Sequence, residues 1–265
     1  YNQYAQYMRR LDPTIQVVAV GHTDRDWNRV VLTGMSRPAD YLSIHMYGHS
    51  HLDRDGNFEQ LAALPAAFEH ELAYVVADLN TYAAAPIALI LDEWNVRHFR
   101  AGRLNRKSPR QMQDALYIAG VFNVMHRFSP YVKAANYVTM VNGNAPLRAW
   151  DDTLTLTPVY DVFRLYQEMM VGQAVAVEVA TQQYEVTPFE GVSTPHQRTE
   201  PLTAPLVDVS AALDTETGRL TACLLNRDAS RPVTVSVAID GADGYQLLRA
   251  VRLYGEKPDS LTASV

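Results

Sequence analysis

The stretch Pro86 to Val96, PIALILDEWNV, decides how the rest of the chain is read. A proline opens five apolar residues, Ile87 to Leu91, which give way to Asp92, Glu93, Trp94 and Asn95. A short apolar run bounded in this way reads as a strand buried on both faces. Side chains alternate along a strand, which predicts Ile87, Leu89, Leu91 and Glu93 on one face. A carboxylate is then expected at the C-terminal tip of the strand, above a column of apolar side chains. Catalytic groups occupy such tips in β/α barrels. The plainer alternative is an acid that caps the next helix or pairs with an arginine.

Outward from this strand the pattern repeats. Ile15–Gly21 (IQVVAVG), Asp40–Tyr47 (DYLSIHMY) and Ala134–Asn142 (AANYVTMVN) also read as strands. Helical stretches are expected near 27–32, 59–82, 111–128 and 158–168, and a basic loop over 98–110. Strands alternating with helices predict βα units and a parallel sheet. From about Ala174 short alternating segments take over: 174–180, 206–212, 219–226, 232–239 and 245–254. They predict an antiparallel sandwich without helices. The expected organisation is a partial catalytic domain over 1–170 and a jelly-roll-like β-sandwich over 171–265. The chain opens with Tyr4, Tyr7, Met8 and Leu11 at one helical face, as though it began inside a domain.

The composition is that of a globular chain: 265 residues, 48% hydrophobic and 20% charged. A formal net charge of −6, spread along the chain, argues against a nucleic-acid or anionic-membrane surface. The single cysteine, Cys223, lies in an apolar run and excludes a disulfide framework or a cysteine metal cluster. No apolar run approaches the roughly 20 residues of a membrane-spanning helix.

Several side chains carry potential chemistry. His45 and Tyr47 are two apart, so both project to one face near a strand end. A tyrosine beside a carboxylate can donate a hydrogen bond that keeps it ionised and oriented. His45, His49 and His51 could instead suggest a divalent metal, although the His-x-His pair is expected beyond the strand, among Gly, Ser and Asp. Trp94 and Trp150 are candidates for stacking on a sugar, or core residues. Asn142 and Asn144 flank Gly143 in a turn. Arg97, Arg100, Arg103, Arg106 and Lys107 read as solvated surface, a subsite lining or a subunit contact.

Glu93 in LILDEWNV, His45 to Tyr47 (HMY), and AANYVTMVNGNAPL followed by LTPVYDVFRLYQ together resemble family 51 glycoside hydrolases, mainly α-L-arabinofuranosidases. The resemblance runs in order from residue 1 to Gln167 and more loosely beyond. It implies an α/β plus all-β fold: strands 5–8 of a (β/α)8 barrel, followed by the sandwich. It implies Glu93 as nucleophile, with His45 and Tyr47 at positions that contact substrate and hold the nucleophile; Trp94 and Asn142, from the residue reading, are expected as further substrate contacts. The family's acid/base is a Glu that follows an Asn, and no Asn-Glu pair occurs in these residues. That group, with early-strand substrate contacts, is expected from an N-terminal half on the same or a separate chain. Many members also carry an aromatic where Arg97 stands, which implies a different +1 subsite.

The implied reaction is retaining hydrolysis of terminal α-L-arabinofuranosyl units from arabinan, arabinoxylan or arabino-oligosaccharides. It calls for no metal or other cofactor, no nucleic acid and no membrane, and suggests a cytoplasmic homo-oligomer. The alternatives are an endo-glucanase or β-xylosidase-like specificity, a metal-dependent barrel hydrolase, and a non-catalytic half that needs a partner chain.

Overall fold

The computed structural model describes residues 1–187, 189, 200–241 and 244–265. Its first part runs α1 (Asn2–Leu11), β1 (Val18–Val20), α2 (Arg25–Gly34), β2 (Tyr41–His51), α3 (Asn57–Tyr82) and β3 (Ala88–Arg100). Then come β4 (Arg103–Leu104), α4 (Met112–Arg127), β5 (Val132–Tyr137), β6 (Leu147–Trp150), β7 (Thr153–Leu156) and α5 (Pro158–Met169). The remainder is β8 (Gln173–Val175), β9 (Gln183–Val186), β10 (Leu202–Pro205), β11 (Val207–Asp214) and β12 (Arg219–Asn226).

β1, β2, β3 and β5 pair in that order, all parallel, as the alternation of strands and helices predicts. The elements are longer or shorter than expected in places. β2 continues to His51, so His49 and His51 stand on the strand rather than beyond it. The expected basic loop begins as a hairpin, with Phe99 facing Leu104 and Arg100 facing Arg103 across a turn with positive φ at Ala101 and Gly102.

The sheet is covered on one face. Leu42, Ile44 and Met46 of β2 and Leu89, Leu91 and Val96 of β3 are fully buried. They share a core with Leu61, Phe68 and Leu72 of α3 and Ile118 and Val121 of α4. On the opposite face Val18 and Val20 of β1 are exposed and Ala88 and Ile90 of β3 are partly buried, so β3, expected to be buried on both faces, is fully buried on one. Among the described residues, β1 and β5 each have one strand neighbour, leaving two open parallel edges. The apolar side chains Tyr4, Tyr7 and Leu11 of α1 are likewise exposed.

The expected alternation in β3 fails at one point. Ile44 faces Leu91 but His45 faces Glu93, which makes Asp92 an extra residue in the strand. A bulge of this kind shifts every later side chain to the other face. Glu93 therefore stands with Ala88 and Ile90 on the open face, not with Leu89 and Leu91.

Two glycines allow close packing. A Cβ on Gly120 of α4 would lie 2.6 Å from the ring of Pro65, inside α3, so the two helices meet closely at this point. A Cβ on Gly48 of β2 would lie 2.7 Å from the ring of the buried Tyr117.

Beyond α5 the chain is β-structured, with no helix among the described residues. β12, β11 and β8 form an antiparallel sheet, and β9 pairs with β10. The segments 232–239 and 245–254, expected as strands, form no ladder; Tyr254 makes one bridge, to Ser264. Most of their apolar residues stay in solvent, Leu247 at 86% exposure, while Leu253 packs partly against the core. Alternation alone makes no strand without a partner edge. The final segment also satisfies the first turn of α4, where Met112 and Gln113 N–H donate to Ser260 and Pro258 carbonyls at 2.9 and 2.7 Å.

The β-structured part is anchored to the helices. Leu202 and Ala204 of β10 belong to the same apolar core as α3. The buried Asp208 of β11 accepts from Arg127 of α4 at 3.0 Å and from Arg227 at 3.1 Å, while Arg127 also clasps Glu69 of α3 at 2.8 Å. A buried carboxylate with two cationic partners meets the requirement that buried charge be paired.

Candidate active site

The bulge at Asp92 brings three polar side chains together at the C-terminal end of the sheet. Tyr47 donates its hydroxyl to Glu93 Oε2 at 2.8 Å. His45 lies between the two acids, Nδ1 at 3.4 Å from Glu93 Oε2 and Nε2 at 3.3 Å from Asp92 Oδ1. The Glu93 side chain is 41% exposed, so its carboxylate is both held and reachable. Burial and the neighbouring Glu93 carboxylate push the Tyr47 phenol up to about 12, which keeps it a protonated donor at neutral pH. The guanidinium of Arg97 covers the Tyr47 ring at 3.8 Å.

A second, buried layer supports the ends of β3 and β5. Arg110 is fully buried and donates three bonds at 2.7 Å, to Asn144 O, Asn95 Oδ1 and Val96 O. Asn95 in turn donates to Val138 O, just past β5. His98 Nε2 lies 2.7 Å from Asp114 Oδ1, and Asp114 Oδ2 accepts from Gln111 N–H in a capping box that starts α4. Burial alone would raise the Asp114 carboxyl, but His98 and Arg110 hold it below its ordinary value.

The sequence-predicted residues divide accordingly. Glu93, Tyr47 and His45 converge. Trp94 does not: it is 1% exposed, edge-on to Phe122 and Tyr137 at 5.3 and 5.1 Å, and stacked near Phe163. The bulge that opens Glu93 to the site turns the next residue into the helical layer, so Trp94 is a core residue and not a substrate contact. Asn142 adopts φ 59° and its Oδ1 accepts from Ala149 N–H at 2.8 Å, so its side chain closes the loop after β5. Trp150 is half exposed on the β6–β7 hairpin. The three histidines do not assemble: His51 stacks on Phe99 at 5.2 Å while His45 lies beside the acids. Among the described residues no group of three or more His, Cys, Asp or Glu is placed to hold a metal, and no helix is long and apolar enough to cross a membrane. Arg110 and Asn95 look like ordinary polar residues in the sequence, which carries no local signal of their burial.

What this arrangement can do is present one carboxylate, oriented by a phenol and with an imidazole beside it, to an electrophilic carbon. One such group supplies half of a glycosidase pair. A comparison with curated protein sequences found no match. Residues 92–263 match the family model described as the α-L-arabinofuranosidase C-terminal domain. Among solved structures, an arabinose complex of α-L-arabinofuranosidase from Thermotoga maritima is 26% identical over 85% of this chain and 46% of its own, with a TM-score of 0.72. The thermostable family 51 α-L-arabinofuranosidase from Thermotoga petrophila is 24% identical over 98% of this chain and 53% of its own, at a TM-score of 0.81. One from Bifidobacterium longum is 18% identical, at a TM-score of 0.81 over 97% of this chain and 55% of its own. The chain thus spans about half the length of the structures it matches. It belongs to the α-L-arabinofuranosidase C-terminal domain family, and corresponds to the C-terminal portion of a family 51 glycoside hydrolase.

Proposed function

We propose that this chain supplies the nucleophile half of a retaining α-L-arabinofuranosidase. The observation that carries the reading is the Tyr47 hydroxyl on Glu93 at 2.8 Å, at the C-terminal end of a parallel sheet. Glu93 attacks the anomeric carbon of a terminal arabinofuranosyl unit, and its covalent ester is then hydrolysed. Tyr47 and His45 orient the carboxylate before attack. Asn142 shapes the loop after β5. The acid/base is a second carboxyl about 5–5.5 Å away, which protonates the leaving oxygen and later activates water.

That carboxyl comes from a further run of βα units. The sheet β1–β2–β3–β5 acts as one half of an eight-stranded barrel, with its open edges at β1 and β5 and the exposed Val18 and Val20 facing the interior. Four more parallel strands would pair both edges and bury those valines. The β-structured remainder forms a sandwich anchored through Asp208 and β10. Substrates are arabinose-containing oligosaccharides or polysaccharides.

The test is release of the aryl alcohol from an aryl α-L-arabinofuranoside by the enzyme containing this chain. Glu93→Ala should lower turnover by about ten-thousandfold or more, the scale of losing a nucleophile. Near-wild-type turnover by Glu93→Ala, or no hydrolysis by the wild type, would defeat the reading.

A further inference from the structure

Between Asp92–Glu93 and Asp114 the chain contains no acidic residue, yet it carries Arg97, Arg100, Arg103, Arg106, Lys107 and Arg110. Arg110 is spent inside the protein. The other five are exposed, and among the described residues none forms an ion pair with a carboxylate. This is a local positive field in a chain whose net charge is −6.

Two details set this cluster apart from a freely solvated run. Arg100 and Arg103 are directly opposed across the β3–β4 hairpin, and like charges in that position destabilise a hairpin. Asp53 touches the hairpin, its Oδ2 accepting from Ala101 N–H at 2.7 Å, and its charge offsets part of that of Arg100. Arg97 is held in place. Its position in β3, four residues after Glu93, puts it on the same face of the strand, and its guanidinium lies 3.8 Å from the centre of the ring whose hydroxyl binds Glu93. Stacking of this kind restrains the long side chain while retaining its charge, and a restrained planar fork suits a carboxylate.

We propose that the site takes arabinofuranosyl units from glycans that carry a carboxylate beside the scissile linkage, uronic acid-substituted chains, with Arg97 contacting that carboxylate. The inference rests on the arabinofuranosidase reading and narrows its substrate class. The hairpin cations Arg100 and Arg103 add attraction for an acidic chain rather than a specific contact.

The experiment compares two matched substrates of the active enzyme at low ionic strength. One is an arabinofuranosylated xylo-oligosaccharide with a glucuronosyl group on the neighbouring xylose; in the other the same carboxyl is reduced to a primary alcohol. The carboxylate form should have the higher kcat/KM by about 10- to 100-fold, the scale of one charge-assisted contact. The preference should collapse toward unity at about 1 M salt, where the screening length falls to about 3 Å. Arg97→Leu should lose most of it and Arg97→Lys should retain part, each read as a ratio within one preparation so that partial misfolding cancels. A ratio near one in the wild type, or an unchanged ratio in Arg97→Leu, overturns the proposal. If the wild type then still hydrolyses a neutral aryl arabinofuranoside, only the anionic preference is lost; if it does not, the arabinofuranosidase reading falls as well.

Discussion

Replacing Arg110 by Met keeps most of the side-chain volume and removes the guanidinium. The structure shows what is left behind: Asn144 O, Asn95 Oδ1 and Val96 O each lose a donor at 2.7 Å, and Asp114 loses a cation 4.0 Å away. Asn95 Oδ1 and Asn144 O keep a second donor, Val96 N–H at 2.6 Å and Asn95 Nδ2 at 3.4 Å, so the larger cost is the roughly 3–5 kcal/mol of breaking a buried charged cluster by removing one partner. Asp114 keeps its bond to His98, which limits the charge penalty. A loss of about 4 kcal/mol is therefore expected, out of the 5–15 kcal/mol typical of a domain. Urea unfolding followed by tryptophan fluorescence suits the measurement, because Trp94 is buried against Phe122 and Tyr137. With a slope near 2.5 kcal/mol per molar, the midpoint should fall by about 1.6 M. Arg110→Lys keeps a charge but not the fork, and should fall between the two. A loss below about 1 kcal/mol at unchanged slope would refute the claim that Arg110 ties β3 to the loop after β5.

Two further perturbations follow from the same packing. Asp114 titrates below its ordinary 3.8 in the folded chain, so its contribution is present above that value and fades as pH falls through the folded one. The stability gap between wild type and Asp114→Asn should therefore be full at neutral pH and narrow below about pH 4; a gap that widens in acid would contradict the assignment. Gly48→Ala forces a methyl to within 2.7 Å of the Tyr117 ring and should cost about 1–3 kcal/mol in the same urea assay. Because Gly48 follows Tyr47, turnover should fall with stability, and a neutral substitution would show that β2 and α4 can separate freely.

The parallel βα pattern was legible because each element carries its own period. β3 announced itself through Ile87 to Leu91, and α4 through a long apolar helix bounded by Gln111 and Phe128. Glu93 and Tyr47 were legible through the resemblance and through simple placement at strand ends. The bulge at Asp92 was not, since nothing local in Leu91-Asp92-Glu93 distinguishes a bulged from a regular strand. That one residue moves Glu93 to the other face, whereas the expectation of Trp94 as a sugar contact rests on its aromatic chemistry alone. Segments 232–239 and 245–254 alternate like strands, but pairing depends on a distant edge that the alternation does not specify. Arg110 closes a run of exposed cations, and its burial depends on Asn95 and Asn144 arriving from elsewhere in the chain.

The central claim is that Glu93 is the nucleophile. Its most direct test is to treat the active enzyme with an activated 2-deoxy-2-fluoro arabinofuranoside, which slows hydrolysis of the covalent ester, and to sequence the labelled peptide by mass spectrometry. The account predicts one fluoro-sugar on Glu93 and none in Glu93→Gln. A label on Asp92 or on any other residue, or turnover of the reagent with no covalent adduct, would contradict it.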